Sequence, residues 1–265
     1  MIEVKNLHVT FSPNTAMETQ ALCGADLKVE EGEFVTVIGS NGAGKSTLLA
    51  AIAGDIRPQE GRIFIDGKDV TGLSAHKRAG DIARVFQDPL AGTCASISVE
   101  ENMSLAADRG TGRGWQLAVS AEKRRLFRER ICALELGLED RLGDLVGRLS
   151  GGQRQAVSLI MATLAPSRIL LLDEHTAALD PRMSAFVLRL SRRIGEEYGL
   201  TMLMVTHSMK AALSCGSRTI MLNRGKIVLD VAGQERQSLQ VSGLLRLFTE
   251  ACGEDADDDR LLLAS

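Results

Sequence analysis

The residues Gly39-Ser40-Asn41-Gly42-Ala43-Gly44-Lys45-Ser46 match the pattern G-x-x-x-x-G-K-[ST], whose backbone N–H groups wrap around the phosphates of a nucleotide. The glycines let the backbone approach the phosphate oxygens, while Lys45 neutralises the β- and γ-phosphates and the Ser46 hydroxyl suits Mg²⁺. A short apolar run, Phe34–Ile38, precedes the loop, and apolar residues at helical spacing follow over 48–52. This strand–loop–helix context predicts a phosphate-binding loop rather than a glycine-rich turn.

A second informative string is Ile169-Leu170-Leu171-Leu172-Asp173-Glu174, a buried strand pattern that ends in two carboxylates. Neighbouring residues on a strand point to opposite sides, so the two acids need not share a task. Asp173 is expected in the shell of a Mg²⁺ ion, and Glu174 is expected to polarise the water that attacks the γ-phosphate. An acidic pair of this kind by itself also fits a turn or a helix cap, and the phosphate-binding loop favours the catalytic interpretation.

The segments around these two motifs predict an α/β protein. Ile2–Phe11 alternates apolar and polar residues, and 22–29 and 62–66 do so over shorter lengths, which predicts an antiparallel patch. Short apolar runs at 168–172 and Thr201–Val205 flank a helical pattern over 182–197. Strand, helix and strand in this order predict a parallel sheet.

The middle and the end of the chain have helical rather than strand-like sequence patterns. Charged, Leu- and Ala-containing stretches run through 89–165, and 121–138 has apolar residues near one helical face. A weakly helical pattern follows position 230 and ends in an acidic run at 254–259, typical of a solvated tail.

Composition excludes several classes of protein. The 265 residues are 45% hydrophobic and 25% charged, which is typical of a globular chain and not of a disordered one. The formal net charge of −3 provides no global positive field for nucleic acid or an anionic bilayer. Five cysteines without a C-x-x-C pair fit a reducing cytosol. Neither an apolar signal segment nor about 18 consecutive apolar residues occur, so we expect a chain that is not secreted and does not span a membrane.

A third motif, Leu149-Ser150-Gly151-Gly152-Gln153, lies at the start of a helical pattern shortly before the acidic strand. It resembles the signature motif of ATP-binding-cassette (ABC) ATPases, and the three motifs occur in that family's order. Gln87 resembles the Q-loop glutamine, 178–180 the D-loop, and His207 the switch histidine. The resemblance covers nearly the whole chain.

The resemblance implies an α/β P-loop NTPase fold with a RecA-like parallel-sheet core. An antiparallel β subdomain is expected at the N-terminus, and an inserted α-helical subdomain is expected to carry the signature motif. The expected boundaries within a single domain over 1–265 are 1–88 and 166–232 for the core with the β subdomain, 89–165 for the helical subdomain, and 233–265 for a C-terminal helix and acidic tail.

The resemblance also implies a site shared by two chains paired head to tail, with ATP between the phosphate-binding loop of one and 150–153 of the other. The residues implied for nucleotide binding are Phe11, Ser40, Asn41, Gly42, Ala43, Gly44, Lys45, Ser46, Thr47, Ser150, Gly151, Gly152, Gln153 and Asp180. Those implied for Mg²⁺ are Ser46, Gln87 and Asp173, and those for catalysis are Glu174 as general base, Gln87, and His207 as γ-phosphate sensor. Phe11 would stack on adenine, although a core phenylalanine at the end of a strand is an equally good interpretation without the family.

The strings at 173–180, 98–107 and 205–210 are similar to one group of bacterial importer ATPases, described for tryptophan, tyrosine or related amino acids. Members of this group imply membrane permease partners, an extracytoplasmic solute-binding protein and a place at the cytoplasmic face of the membrane, with no nucleic acid. A soluble ABC ATPase acting on ribosomes or nucleic acid, or an exporter subunit, remains an alternative. A simple P-loop kinase does not account for 150–153.

Two features have two interpretations each. His175 stands where most family members have proline, so its imidazole either lines the site and adds pH sensitivity or is a tolerated loop substitution. Leu90, Ala91, Ile97 and Val99 either line a groove for a permease helix or pack the joint of the helical subdomain. Trp115 suggests no function.

Overall fold

The computed structural model describes residues 1–110 and 118–252, so the predicted acidic run at 254–259 and Trp115 lie outside the described residues. The strands are β1 Ile2–Phe11, β2 Thr19–Val29, β3 Phe34–Ile38, β4 Glu60–Ile65, β5 Lys68–Asp69, β6 Ile82–Val85, β7 Ile169–Asp173, β8 Thr201–Val205, β9 Arg218–Asn223 and β10 Lys226–Ala232. The helices are α1 Lys45–Ala53, α2 Ala75–Arg78, α3 Val99–Ala107, α4 Ala121–Cys132, α5 Gly151–Leu164, α6 Pro181–Tyr198, α7 Met209–Ser214, α8 Gly233–Ser238 and α9 Val241–Cys252, with a 3₁₀ turn at Val146–Arg148.

The main sheet has the strand order β10-β9-β3-β8-β7-β6. The strands from β9 to β6 run parallel, and β10 pairs antiparallel with β9 at the edge. Every residue of β7 and β8 is buried, as expected for strands covered on both faces. The predicted parallel α/β core is therefore confirmed, and the carboxyl ends of β3 and β7 lie at the same edge.

A second sheet is antiparallel, with the order β2-β1-β4-β5. Its β1 has the predicted bounds, whereas β2 and β4 begin earlier than the patterns at 22–29 and 62–66 indicate. Register shifts in both β1 pairings explain the imperfect alternation, because a bulge exchanges which residues face inward.

Alternation along β7 divides the hydrophobic interior into two layers. Ile169 and Leu171 pack in a cluster with α1 and the antiparallel sheet, whereas Leu170 and Leu172 pack in a cluster with α5 and α6. A third cluster joins α7 and α9 to β3 and β9, with Phe248 fully buried. The main sheet is thus fixed from both sides.

The helix predicted over 121–138 ends at Cys132. Glu135 and Gly137 have positive φ angles of 55° and 66°, which a continuing helix cannot accommodate. The apolar spacing that suggested a longer helix has another origin: Leu134 and Leu138 follow the helix and still pack in the same cluster as Phe127 and Ile131.

The segment after 230 is only partly helical. β10 continues to Ala232, and α8 and α9 follow. β6, β9 and β10 were not found by the sequence patterns. Within the residues described, no helix has the length and apolar character needed to cross a bilayer.

Candidate functional site

The loop between β3 and α1 requires glycine at specific positions. Gly39 and Gly44 have φ angles of 148° and 100°, and a Cβ on either would lie 2.2 to 2.3 Å from a carbonyl oxygen, of Leu222 and Ala21 respectively. Since such contacts cannot be relieved without moving backbone, the tight curl of the loop depends on these glycines.

The start of α1 leaves backbone donors for a ligand. Gly44 is the N-cap residue, has no side chain to accept from the first-turn N–H groups, and no acidic residue occupies that turn. The N-terminal end of the helix macrodipole therefore faces the loop uncompensated by side chains. Lys45 is only 5% exposed, and its Nζ donates to the carbonyl oxygens of Gly39 and Ser40, each at 2.8 Å. This arrangement suits an anion.

Hydroxyl and carboxylate oxygens meet beside Lys45. The Ser46 Oγ donates to Asp173 Oδ1 at 2.9 Å, and Arg84 on β6 donates to Asp173 Oδ2 at 2.8 Å. The set of hard oxygen donors fits Mg²⁺, which keeps several waters and takes one or two protein ligands besides phosphate oxygens.

Glu174 leaves the strand in a different direction from Asp173 because its φ is 45°. Its N–H donates to the carbonyl oxygen of Val205, which fixes the backbone at the end of β7. The Glu174 Oε2 lies 2.5 Å from Nε2 of His207, and the carboxylate is buried while the imidazole is 37% exposed. The two acids therefore occupy different places around the loop.

These groups surround one cavity of about 570 Å³. Its lining residues are Phe11, Thr19, Ala21, Asn41, Gly42, Ala43, Gly44, Lys45, Ser46, Thr47, Gln87, Glu174 and His207. Phe11 is 42% exposed and lies on the cavity wall, so the core interpretation of this residue is wrong. Ser40 and Asp173 are not part of the wall and contact the lining residues Lys45 and Ser46.

The segment 150–153 is not part of this wall. Ser150 caps α5 in a capping box, accepting from the Gln153 N–H while the Gln153 Oε1 accepts from the Ser150 N–H. Gly152 packs so closely that a Cβ would lie 2.7 Å from Met183 Cε, whereas Ser150 and Gly151 are exposed. Asp180 caps α6 through two backbone N–H groups and also lies off the wall. Within one chain, the signature segment and the phosphate-binding loop are separate surfaces.

His175 points away from the cavity into the interior. It is 2% exposed, and its Nε2 lies 2.9 Å from the Ser191 Oγ. Ser191 donates its own hydrogen to the Val187 carbonyl, so the imidazole Nε2–H must be the donor to Ser191. The interpretation that His175 lines the site is therefore wrong. Burial lowers the pKa of His175 to about 4 because the imidazolium would be desolvated.

This burial predicts a pH-dependent stability. In the unfolded chain the His175 imidazole is protonated below about pH 6.5, whereas in the folded chain it is protonated only below about pH 4. The free energy of unfolding therefore falls as the pH falls from 6.5 to 4. Relative to His175→Gln, which keeps a donor without titrating, we expect the native chain to lose about 2 to 3 kcal/mol between pH 7 and 4.5. Urea unfolding at both pH values measures this, and equal losses in the two proteins would contradict it.

A second cavity, of about 840 Å³, lies between β6 and the helical segment. Of the four residues predicted for the groove, Ala91 is on its wall, whereas Leu90 and Ile97 are not. Val99 is 1% exposed and packs in the interior cluster with Met103, as the alternative interpretation predicts. Arg84 also lies on this wall and was missed by the sequence patterns. The available signal was a charged residue within the otherwise apolar strand Ile82–Val85.

The parallel strand order, the glycine loop after β3 and the acidic end of β7 define a P-loop nucleoside triphosphatase fold. A family model described as ABC transporter matches residues 22–177. The chain belongs to the ABC transporter family, and it is an ATP-binding subunit with ATPase function.

Similar proteins agree with this assignment. The tyrosine transport ATP-binding protein of Clostridioides difficile (strain R20291) is 44% identical over 256 residues, which cover 95% of this chain and 100% of that protein. The methionine import ATP-binding protein MetN of Burkholderia thailandensis is 35% identical, covering 86% of this chain and 64% of its own length. A dimeric structure of a post-hydrolysis state of the ATP-binding cassette MJ0796 bound to ADP and Pi has a TM-score of 0.77 and 30% identity, covering 88% of this chain and 98% of that one.

Proposed function

We propose that this chain is the ATP-hydrolysing subunit of a bacterial importer of amino acids, with tyrosine and similar solutes as the first candidates. The observation that carries the proposal is the 44% identity to a tyrosine transport ATP-binding protein over that protein's full length. The supporting geometry is the cavity that joins the phosphate-binding loop to Glu174 and His207, with Asp173 bound to the lining residue Ser46.

ATP binds with its phosphates in the loop over 39–46. The N–H groups at the start of α1 and the Lys45 ammonium receive the β- and γ-phosphate oxygens, while Phe11 stacks on the adenine. Thr47, Ser40 and Asn41 complete the contacts around the loop. The place of the partly exposed Phe11 on the cavity wall supports this orientation.

The Ser46 hydroxyl and the Asp173 carboxylate would hold Mg²⁺, together with the amide oxygen of Gln87, which also lines the cavity. When bound, the ion neutralises charge on the phosphate oxygens. The chain's own residues orient those oxygens and exclude bulk water from one side of the cavity.

Glu174 is the general base. Its carboxylate takes a proton from a water whose oxygen forms a bond to the γ-phosphorus, the bond between that phosphorus and the bridging oxygen breaks, and ADP and phosphate leave. His207 holds Glu174 in place before ATP arrives, as the 2.5 Å contact supports, and then contacts the γ-phosphate.

Two copies of the chain pair head to tail. Ser150, Gly151, Gly152 and Gln153 then face the γ-phosphate bound to the other copy, with Asp180 at the joint. The exposed start of α5, away from the chain's own nucleotide cavity, supports this arrangement. Closing and opening of this homodimer drives a membrane permease at the cytoplasmic face, where a permease helix enters the 840 Å³ groove. An extracytoplasmic binding protein delivers the solute, and no nucleic acid takes part.

Affinity capture from gently solubilised cells tests the function. Glu174→Gln with ATP and Mg²⁺ serves as bait. Lys45→Ala is the matched control, whose dimer should not close because it binds ATP weakly. We expect a polytopic permease with both baits, because Lys45 is not on the wall of the groove, and a solute-binding protein that binds tyrosine with the closed Glu174→Gln bait only. Stoichiometric ribosomal proteins or nucleic acid instead would contradict the transporter.

The adenine contact gives a separate prediction. Phe11→Ala should weaken ATP binding about tenfold, because stacking of a base on an aromatic ring contributes about 1 to 3 kcal/mol. Since Phe11 is 42% exposed, the melting temperature should change little, and Phe11→Trp should retain affinity. Titration with a fluorescent ATP analogue measures this, and full affinity in Phe11→Ala would place adenine elsewhere.

A further inference from the structure

Arg84 links the 840 Å³ groove to the nucleotide cavity through the carboxylate of Asp173. It lies on β6 with its side chain 14% exposed, and it lines the 840 Å³ groove. One guanidinium nitrogen donates to Asp173 Oδ2 at 2.8 Å, and the other lies 2.5 Å from Asp55 Oδ2. The Arg84 Cζ is 4.6 Å from the centre of the Phe86 ring. Two carboxylates and a ring face thus fix the plane of the guanidinium.

The Asp173 carboxylate is in turn fixed at both oxygens. Arg84 occupies Oδ2, so Oδ1 is the oxygen that accepts the Ser46 hydroxyl hydrogen at 2.9 Å. A serine hydroxyl has a single hydrogen, and once Asp173 receives it both lone pairs of Ser46 Oγ are free to face the cavity. A cation needs those lone pairs. The chain Arg84, Asp173, Ser46 therefore sets the direction of a metal-ligand oxygen.

The charge balance of this cluster is compatible with a nearby cation. A guanidinium close to a metal site repels the ion. Arg84, however, also pairs with Asp55, so that Arg84, Asp55 and Asp173 together carry a charge of −1. The Arg84 Nε has no hydrogen-bond partner among the described residues, so the hydrogen bonds of the guanidinium come from its two terminal nitrogens.

We propose that Arg84 is a positioning residue for Mg²⁺: it holds Asp173 so that Asp173 orients the Ser46 hydroxyl toward the ion. This inference rests on the proposed function, because it assigns Mg²⁺ to Ser46 and Asp173. It predicts that Arg84 strengthens the coupling between Mg²⁺ and ATP rather than the binding of ATP itself.

The test compares ATP dissociation constants in Mg²⁺ and in EDTA, using the full chain with Glu174→Gln as the parent so that ATP stays intact. Adding Arg84→Met should leave the constant in EDTA within about twofold and reduce the Mg²⁺ effect about tenfold, the size typical of partners that orient metal ligands. Arg84→Lys keeps the positive charge but cannot bind two carboxylates at once, so its Mg²⁺ effect should lie between those of the parent and of Arg84→Met.

Arg218→Met is the matched control, because Arg218 also joins two carboxylates, Asp230 and Glu33, at similar exposure and far along the sheet from Asp173. It should lower the melting temperature and leave the Mg²⁺ effect unchanged. An unchanged Mg²⁺ effect in Arg84→Met, or an equal loss in Arg218→Met, would overturn the inference. If Arg84→Met does not fold, a parental Mg²⁺ effect in Arg84→Lys overturns it. A parent without any Mg²⁺ effect would instead overturn the proposed metal site.

Discussion

Glu174→Gln is expected to lower ATP turnover about 10³-fold, within the range that a positioned general base contributes. The amide keeps the size and the hydrogen bonds of the side chain but cannot accept the proton of the attacking water. Glu174 is buried and held by Val205 and His207, so no neighbouring carboxylate in the cavity wall replaces it. ATP should still bind, because the loop and Lys45 are untouched.

The second consequence of this substitution is a stable dimer. Because opening follows hydrolysis in the proposed cycle, the variant should accumulate as a dimer in ATP and Mg²⁺, which size-exclusion chromatography with light scattering detects. Glu196→Gln is the control, since Glu196 is exposed on α6 and pairs only with Arg192 among its described contacts. A Glu174→Gln protein that hydrolyses ATP normally, or stays monomeric at saturating ATP, contradicts the assigned base.

Lys45→Ala should reduce ATP affinity about 100-fold, because the ammonium makes charge-assisted hydrogen bonds of about 1.5 to 3 kcal/mol each to phosphate oxygens. Lys45 is 5% exposed and already oriented by the carbonyls of Gly39 and Ser40, so little order has to be gained on binding. Removal of the side chain also takes this donor from both carbonyls, of which Ser40 keeps the Ala43 N–H, and loosens the loop.

Isothermal titration with ATP in Mg²⁺ measures this loss. Lys226→Ala, an exposed lysine on β10, is the matched control and should bind ATP normally. An affinity within twofold of the native chain for Lys45→Ala would show that the phosphates lie elsewhere.

The sequence predicts the parts of the fold that depend on local pattern. β1, β3 and β8 have the predicted bounds, because a continuous or alternating apolar run identifies a buried or half-buried strand. β6 is only four residues long and contains Arg84, so its apolar signal is weak. The chain leaves the path of α4 where Glu135 adopts a positive φ. A glutamate at this position gives no signal in the sequence that the helix ends.

The direction of single side chains is less predictable. His175 follows Glu174, whose φ of 45° turns the next residue inward toward Ser191. Phe11 ends a strand whose bulges determine whether it faces the interior or the cavity. Arg84 acquires its role from Asp173 on β7, which lies 89 residues further along the chain. The spacing of residues within one segment does not predict contacts between side chains of distant segments.

In the proposed function, each ATP site is built from two copies of this chain, and mixing two inactive variants reveals whether this is so. Lys45→Ala removes the phosphate countercharge and Ser150→Arg blocks the signature segment, so each homodimer has two damaged sites. A mixed dimer has one site with both defects and one intact site. We expect an equimolar mixture to recover roughly one quarter of native ATPase activity, because random pairing makes half of the dimers mixed and each mixed dimer has one intact site of two. A mixture as inactive as either variant, or a fully active Ser150→Arg protein, would contradict it.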